Sequence, residues 1–256
     1  MPKPFYQDDW VTLYHGDALA ILAGLPDASV DGIITDPPYS SGGATQTARK
    51  ASTGTKYEAT DRLTKTPDFV GDARDQRSYQ YWSALWMSEC LRIAKPGALF
   101  MAFTDWRQYA ATADALQAGG WTWRGTLTWV KPPHTARPQK GRFSQPCEYV
   151  LWGTKGAREI DPHGDAATPQ GWYEAIAPRG AARVHTTEKP VDLMRHLCKP
   201  LDPASVILDP FAGSGTTGVA AKSEGHRFVG VEATAHYCEI AARRLAQDVL
   251  DFGEAS

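Results

Sequence analysis

The chain has few cysteines, and their spacing indicates neither a metal site nor a disulfide framework. Cys90, Cys147, Cys198 and Cys238 are scattered, as is usual for reduced thiols. No apolar run approaches the roughly 20 residues needed to span a membrane. The first ten residues lack the apolar core of a signal segment. These absences predict a soluble, cytoplasmic protein without a bound metal.

An excess of positive charge is also absent. Lys and Arg number 27 against 29 Asp and Glu, which gives a formal net charge of −2. A nucleic-acid partner would therefore have to be held by a local basic patch and not by the global charge. The 256 residues, 42% of them hydrophobic, are enough for one sizeable core. We expect a single domain over residues 1–256.

Short apolar segments alternate with helical patterns along the chain. The predicted strands are Val11–Tyr14, Gly32–Thr35, Ala98–Phe103, Thr122–Val130, Cys147–Trp152, Val206–Leu208 and Phe228–Val231. The predicted helices end before Pro96-Gly97, run from about Asp105 to Gly119-Gly120, begin at Pro190, and run from Ala235 to Leu250. This alternation predicts a doubly wound α/β fold with a mostly parallel, seven-stranded sheet. Residues 40–77, 131–145 and 153–187 lack the pattern and are predicted to be long loop insertions.

A glycine-rich loop follows one predicted strand and opens a helix. It comprises Asp209, Pro210, Phe211, Ala212, Gly213, Ser214, Gly215, Thr216 and Thr217. Glycines let a backbone approach a ligand closely, and the free N–H groups of a helix start bind polar ligand atoms. Glu232 ends the next strand, where a carboxylate can accept both hydroxyls of a ribose. The combination predicts a nucleoside-type cofactor.

The same loop matches the GxGxxG pattern of dinucleotide-binding proteins, so an NAD-dependent oxidoreductase is an alternative. Two observations weigh against it. Only about forty residues follow Gly215, enough for one more strand and one more helix. Asp209-Pro210-Phe211 also separates the strand from the glycines, which does not suit a pyrophosphate turn.

A second constellation, Asp36-Pro37-Pro38-Tyr39, ends another apolar strand. Ligands of doubly wound sheets bind outside the carboxyl ends of the strands. An aromatic amine is a poor nucleophile, because its lone pair is delocalised into the ring. The Asp36 carboxylate and the Pro37 carbonyl can accept its two hydrogens and polarise it, while the Tyr39 ring stacks on the base. The motif therefore predicts methylation of an amino group by positioning and electrostatics.

Together the two motifs resemble those of the amino-group DNA methyltransferases. The catalytic motif comes first and the cofactor loop last, which is similar to the β group of that family, and the resemblance spans residues 11–246. It implies a Rossmann-like fold, S-adenosyl-L-methionine as cofactor and DNA as substrate, with the target base flipped out of the duplex. Cytosine-N4 members more often carry serine where this chain has Asp36, which favours N6 of adenine and leaves cytosine N4 as the alternative.

Further residues enter through the same resemblance. Asp17 matches the acidic residue that lies beside the cofactor's adenine, although it is equally well placed to cap the helix that follows. Lys189, just before Pro190, matches the segment that enters the cofactor pocket and could meet the cofactor's carboxylate. Asp36 is counted with both the catalytic and the cofactor-contacting residues.

A local basic patch is the candidate DNA contact. It contains Lys131, His134, Arg137, Lys140, Arg142 and Phe143. Cations suit phosphates, and the aromatic side chains suit a stacking wedge. A homodimer and a cognate restriction enzyme are compatible with this reading.

Other functions remain as alternatives. The chain could methylate RNA or a protein amide, or could bind DNA without catalysis. Pro146-Cys147 superficially resembles the nucleophile of cytosine-C5 methyltransferases, but Cys147 begins an apolar strand, and in C5 enzymes the glycine loop comes before the Pro-Cys pair. We therefore predict a buried, structural thiol at Cys147.

Overall fold

The computed structural model describes residues 1–40, 74–132, 140–141, 143–159, 167–176 and 188–247. In these residues the chain forms one nine-stranded sheet flanked by helices. The strands are β1 (Tyr6–Gln7), β2 (Val11–His15), β3 (Val30–Thr35), β4 (Ala94–Thr104), β5 (Thr122–Val130), β6 (Cys147–Thr154), β7 (Trp172–Glu174), β8 (Val206–Asp209) and β9 (Arg227–Glu232). The helices are α1 (Ala18–Leu22), α2 (Gln76–Ile93), α3 (Tyr109–Ala118), α4 (Val191–Cys198), α5 (Thr216–Ser223) and α6 (Ala235–Leu245).

The strand order is β1-β2-β9-β8-β3-β4-β6-β5-β7. Strands β2, β9, β8, β3 and β4 are parallel to one another and form the centre of the sheet. Strand β6 is antiparallel to both β4 and β5. The amino end of β6 therefore lies at the same edge as the carboxyl ends of the parallel strands. That edge is where ligands bind in doubly wound sheets.

Two apolar cores cover the two faces of the sheet. On one face α4, α5 and α6 pack with Leu193, Ala220 and Leu245 against the strands. On the other face α1, α2 and α3 contribute Leu22, Trp86 and other buried side chains. Strands covered on both faces read as continuous apolar runs, which is why their sequences do not alternate.

The predicted fold class is confirmed, and all seven predicted strands are present within a few residues. Two short strands were missed, β1 and β7, one at each edge of the sheet. Each has only two or three residues, too few for a recognisable alternating pattern. Helix α2 ends at Ile93, and Pro96-Gly97 lies inside β4 instead of forming the expected stop.

Three helix boundaries also differ from the prediction. Helix α3 begins at Tyr109, because the Asp105 side chain accepts hydrogen bonds from the backbone of Arg107 and Gln108 and holds a turn before the helix. Pro190 is the cap of α4 and not its first residue. Helix α6 ends at Leu245, and residues from 248 onward lie outside the described part. Among the described helices, none is long and apolar enough to cross a membrane.

Candidate active site

The two motifs meet because the strands that carry them are neighbours. Strand β3 precedes the Asp36 turn and β8 precedes the glycine loop, and the two strands pair in parallel with Ile33 opposite Leu208. The Thr35 hydroxyl donates a hydrogen bond of 2.7 Å to Asp209, 174 residues away in sequence. The expected convergence of the two motifs at one edge of the sheet is therefore confirmed.

The glycine loop has the backbone conformation that requires glycine. Gly213 and Gly215 have φ of +52° and +84°, a region that side chains with a Cβ rarely adopt. A Cβ at Gly213 would meet no atom within 4 Å, so this turn borders open space. A Cβ at Gly215 would lie 3.2 Å from Ala241, so that glycine also lets α6 pack against the loop.

Two carboxylates hold the loop in place. Asp209 is buried and accepts hydrogen bonds from the hydroxyls of Thr35 and Thr217 and from the backbone N–H of Phe211. Burial raises the pKa of Asp209 to about 6. Glu232 accepts from the backbone N–H groups of Gly213 and Thr234, at 3.0 and 2.8 Å. All of these donors are uncharged.

One pocket joins the catalytic turn to the cofactor loop. Its walls comprise Asp36, Glu188, Lys189, Met194, Asp209, Phe211, Ala212, Gly213, Ser214, Thr216 and Thr217. Of these, Phe211 packs on Trp82 and Trp86 with ring centroids 5.5 and 5.1 Å apart. The predicted loop residues thus include some that face the pocket and some that fix the loop to the core.

A buried charge network occupies the base-side end of the site. The Lys189 ammonium donates to Asp36 Oδ2 at 2.6 Å and lies 3.2 Å from Glu148 Oε2. The Tyr39 hydroxyl lies 2.6 Å from Asp36 Oδ1 and 3.2 Å from Glu148 Oε2. The single Tyr39 proton has both carboxylates as acceptors, and with Lys189 on Oδ2 each Asp36 oxygen lies within hydrogen-bond distance of a protein donor. Lys131 forms an ion pair with the other oxygen of Glu148.

The network shifts the ionisation of its members. Burial alone would raise the pKa of Glu148, but Lys189 and Lys131 outweigh it and hold that pKa at about 2. Burial raises the pKa of Asp36, which Lys189 opposes and the nearby Glu148 reinforces. Burial and the two carboxylates raise the pKa of Tyr39, so its phenol stays protonated and can donate. The pKa of Glu148 is therefore lowered, whereas the pKa values of Asp36 and Tyr39 are raised, although the three groups are neighbours.

Two sequence-based expectations change at this network. Lys189 was expected to meet a cofactor carboxylate, but its ammonium is directed at Asp36 and Glu148 and only 7% of its side chain is exposed. Lys189 lies outside helix and strand, directly before Pro190, and a following proline disfavours the helical conformation. Lys131 was expected to contact DNA, but it packs 4.6 Å over the Trp129 ring and pairs with Glu148. The contact of Lys131 with DNA stays a prediction.

Sequence reasoning missed two residues of the site, Glu148 and Arg244. Glu148 lies at the amino end of antiparallel β6, which is at the ligand-binding edge of the sheet. In the sequence, the only indication of its role was a single acidic residue next to Cys147 at the start of a predicted strand. Arg244 on α6 donates to the carbonyl and hydroxyl oxygens of Ser214 and forms a 3.0 Å ion pair with Glu188. Only the folded chain brings these separate positions together.

The remaining predicted residues lie in separate places. Asp17 caps α1 by accepting from the Ala20 N–H, and it follows β2, whose His15 is opposite Glu232. Pro37 is buried, and Pro38 is partly exposed. Pro210, also assigned to the cofactor loop, is buried directly after β8.

In the basic patch, Lys140 is exposed and Phe143 has 95% of its surface exposed. His134, Arg137 and Arg142 lie outside the described residues. Cys147 is half-buried and not fully buried as expected, because it begins β6 where the strand leaves the core.

A doubly wound sheet with a glycine loop and an Asp-Pro-Pro-Tyr turn at one edge defines a Rossmann-like methyltransferase fold. Two solved structures have this fold. The M1.HpyAVI–SAM complex aligns with a TM-score of 0.66 at 24% identity, over 93% of this chain and all of that chain. The cytosine-N4-specific PvuII DNA methyltransferase aligns with a TM-score of 0.71 at 18% identity, over 96% of this chain and 90% of that one.

Sequence comparison then defines the family. The model of the DNA methylase family matches residues 30–243, and the chain belongs to that family. It is 30% identical over 232 residues to YubD of Escherichia coli (strain K12), a protein provisionally named a methylase, covering 90% of this chain and 88% of the relative. Residues 30–243, which the family model matches, contain the catalytic turn, Glu148, Lys189 and the glycine loop.

Proposed function

We propose that this protein transfers the methyl group of S-adenosyl-L-methionine to an exocyclic amino nitrogen of DNA, and that the nitrogen is N6 of adenine. The single observation that carries the proposal is the common pocket, in which Asp36 and the Gly213 turn line the same space. Membership of the DNA methylase family supplies the substrate class. The alternative, an NAD-dependent oxidoreductase, has no support in either observation.

The glycine loop fits the cofactor. The Gly213 turn borders open space and leads directly into the start of α5, and the first backbone N–H groups of a helix can bind polar ligand atoms. Glu232 stands at the end of the adjacent strand, where each of its oxygens keeps capacity to accept a ribose hydroxyl. When bound, S-adenosyl-L-methionine supplies a methyl group activated by a sulfonium. Asp17 follows β2, and β2 pairs with β9, the strand that ends in Glu232. We assign the adenine of the cofactor to the region near these two residues.

The Asp36 turn fits the acceptor amine. The Asp36 carboxylate accepts one amino hydrogen and the Pro37 carbonyl accepts the other, which directs the nitrogen lone pair toward the methyl donor. As the nitrogen–carbon bond forms and the sulfur–carbon bond breaks, the amine proton passes to Asp36 and then to solvent. Lys189 favours the ionised form of Asp36 in spite of burial.

Adenine is favoured by the residue at the first motif position. Asp36 gives a charged acceptor, whereas the serine common in cytosine-N4 enzymes gives a neutral one. The runner-up, methylation of cytosine N4, uses the same pocket and the same cofactor. The two products have different masses as nucleosides, so a single digestion separates them.

DNA contact is proposed for the exposed part of the basic patch. Lys140 and Phe143 are exposed close to the amino end of β6, at the edge that carries the pocket. Arg137 and Arg142 belong to the same stretch of sequence. Replacing Arg137, Lys140 and Arg142 by Gln should weaken DNA binding and flatten its dependence on salt. An unchanged slope of log affinity against log salt would remove the patch from the interface.

The deciding experiment is product analysis. The purified protein is incubated with isotopically labelled S-adenosyl-L-methionine and unmethylated genomic DNA, and the digested nucleosides are weighed by mass spectrometry. We expect labelled N6-methyladenine. Labelled N4-methylcytosine would establish the runner-up, and label only in added RNA or protein would overturn the DNA assignment.

A further inference from the structure

The proposed chemistry leaves one buried acid without a role. Glu148 lies at the start of β6, and 17% of its side chain is exposed. It is separated by more than a hundred residues from Asp36, yet it lies within 3.2 Å of two groups that contact Asp36. A buried carboxylate is costly unless it is paired, so its presence here needs a reason.

Glu148 connects the strands of the network. Its Oε2 faces Lys189 and Tyr39, and its Oε1 pairs with Lys131 at the end of β5. In the β5–β6 pairing Glu148 is opposite Trp129, whose ring carries Lys131 at 4.6 Å. The carboxylate is thus fixed by a regular strand, while the Asp36 turn and Lys189 lie in non-helical, non-strand segments.

The charge balance explains why both lysines are present. Asp36 and Glu148 carry two negative charges, and Lys131 and Lys189 carry two positive charges. Lys189 has to serve both carboxylates, and its position between them depends on both. Without Glu148 the Lys189 ammonium would keep, from the strands, its contacts with the rings of Phe103 and Trp129 at 5.0 and 5.9 Å, which offer no carboxylate partner. The Tyr39 hydroxyl would lose one of its two carboxylate neighbours, and the two donors of Asp36 would be held less firmly.

We propose that Glu148 is a positioning residue for methyl transfer: through Lys189 and Tyr39 it fixes the orientation of the Asp36 carboxylate. This inference rests on the proposed function. Glu148 does not itself touch the amine, and its effect is on the geometry of the group that does. Misplacement of about 1 Å is enough to lower a rate by roughly a hundredfold.

The test compares Glu148→Gln and Glu148→Asp with wild type and with Glu239→Gln. Glu239 is an exposed helix residue that also pairs with an arginine, so this control removes the same charge away from the site. We expect kcat of Glu148→Gln to fall roughly 10- to 100-fold while the cofactor Kd stays within about threefold. Glu148→Asp, which keeps the charge, should recover part of the loss, and Glu239→Gln should match wild type.

A pH profile separates positioning from mere structural support. The groups that face Asp36 are Glu148 from β6, Lys189 before α4, Tyr39 of its own turn, and Asp209 after β8. Removing the Glu148 charge removes a neighbour that raises the pKa of Asp36. The acid limb of kcat should therefore move to lower pH in Glu148→Gln and stay in place in Glu239→Gln. A purely structural role would lower the active fraction without moving this limb.

The outcomes are distinct. If wild type methylates DNA and folded Glu148→Gln keeps its kcat and acid limb, the positioning role is wrong and the proposed function stands. If wild type transfers no methyl group to DNA, both are wrong. Should Glu148→Gln fail to fold, Lys131→Met with Glu148→Gln restores the charge balance and is measured instead, with the same expected loss of kcat and the same contradicting result.

Discussion

On the glycine-loop side of the pocket, Asp209 and Glu232 accept hydrogen bonds from hydroxyl and backbone N–H groups, whereas on the other side Asp36 and Glu148 face two lysines. The donors to Asp209 and Glu232 are neutral, and the positive charge of Arg244, which donates to Ser214 of the loop, is paired with Glu188. Paired charges instead keep Asp36 available as an acceptor in a buried place. Backbone conformation and hydrogen bonds thus determine the geometry of the glycine-loop side, whereas buried ion pairs determine the geometry of the side that contains Asp36.

Replacing Asp36 gives the largest effect that separates the two halves. Asp36→Ala should lower methyl transfer by about 100- to 10,000-fold, because the amine loses its charged acceptor. The cofactor Kd should stay within a few fold, since the glycine loop is formed by other residues. Steady-state methylation and calorimetric titration measure the two quantities. Full activity in this variant would contradict the role assigned to Asp36.

Replacing Lys189 tests whether charge maintains the base side. Lys189→Met leaves two partly buried carboxylates with reduced compensation, and we expect a loss of about 3 kcal/mol in unfolding free energy, the low end for a broken buried pair. Its matched control is Lys95→Met, which breaks an ion pair with Asp31 whose side chains are 44% and 29% exposed. That change should cost less than about 1 kcal/mol. Equal losses of unfolding free energy for the two variants in urea titrations would contradict a stabilising role for the buried charge network.

Replacing the two loop glycines tests whether backbone shape maintains the cofactor side. Gly213→Ala and Gly215→Ala each place a Cβ at positive φ, at a cost of about 1–2 kcal/mol. Only at Gly215 does the new atom also crowd α6. Gly215→Ala should therefore lower the melting temperature more, whereas both variants should weaken cofactor binding. The same melting temperature for the two would contradict the packing role of Gly215.

The effect expected for Asp209 is confined to a window of pH. Its folded pKa of about 6 lies above the ordinary value of 3.8, so the folded state binds the proton more tightly than the unfolded state. Its contribution to stability is therefore present below about pH 4 and is lost as pH rises to about 6. Asp209→Asn should reduce this decline by roughly 1–3 kcal/mol, measured by urea unfolding at several pH values. An identical pH dependence in the variant would show that Asp209 does not contribute.

The sequence predicts the contiguous motifs on both sides of the pocket better than the separate residues that support them, for a physical reason. Contiguous motifs such as Asp36–Tyr39 and Asp209–Thr217 carry their own strand, turn and helix start, so both were recognised. Glu148 and Arg244 act through partners that are distant in sequence, and no local pattern marks them. For the same reason the sequence of the basic patch does not reveal that Lys131 contacts the Trp129 ring and pairs with Glu148.

The most direct test of the central claim is a crystal structure of the protein with S-adenosylhomocysteine, the demethylated cofactor. The two-sided site predicts its ribose at Glu232, its backbone contacts on the Gly213–Gly215 turn and its sulfur facing Asp36. A ligand bound away from that turn, or a sulfur turned away from Asp36, would contradict the claim that the two motifs form one reaction centre.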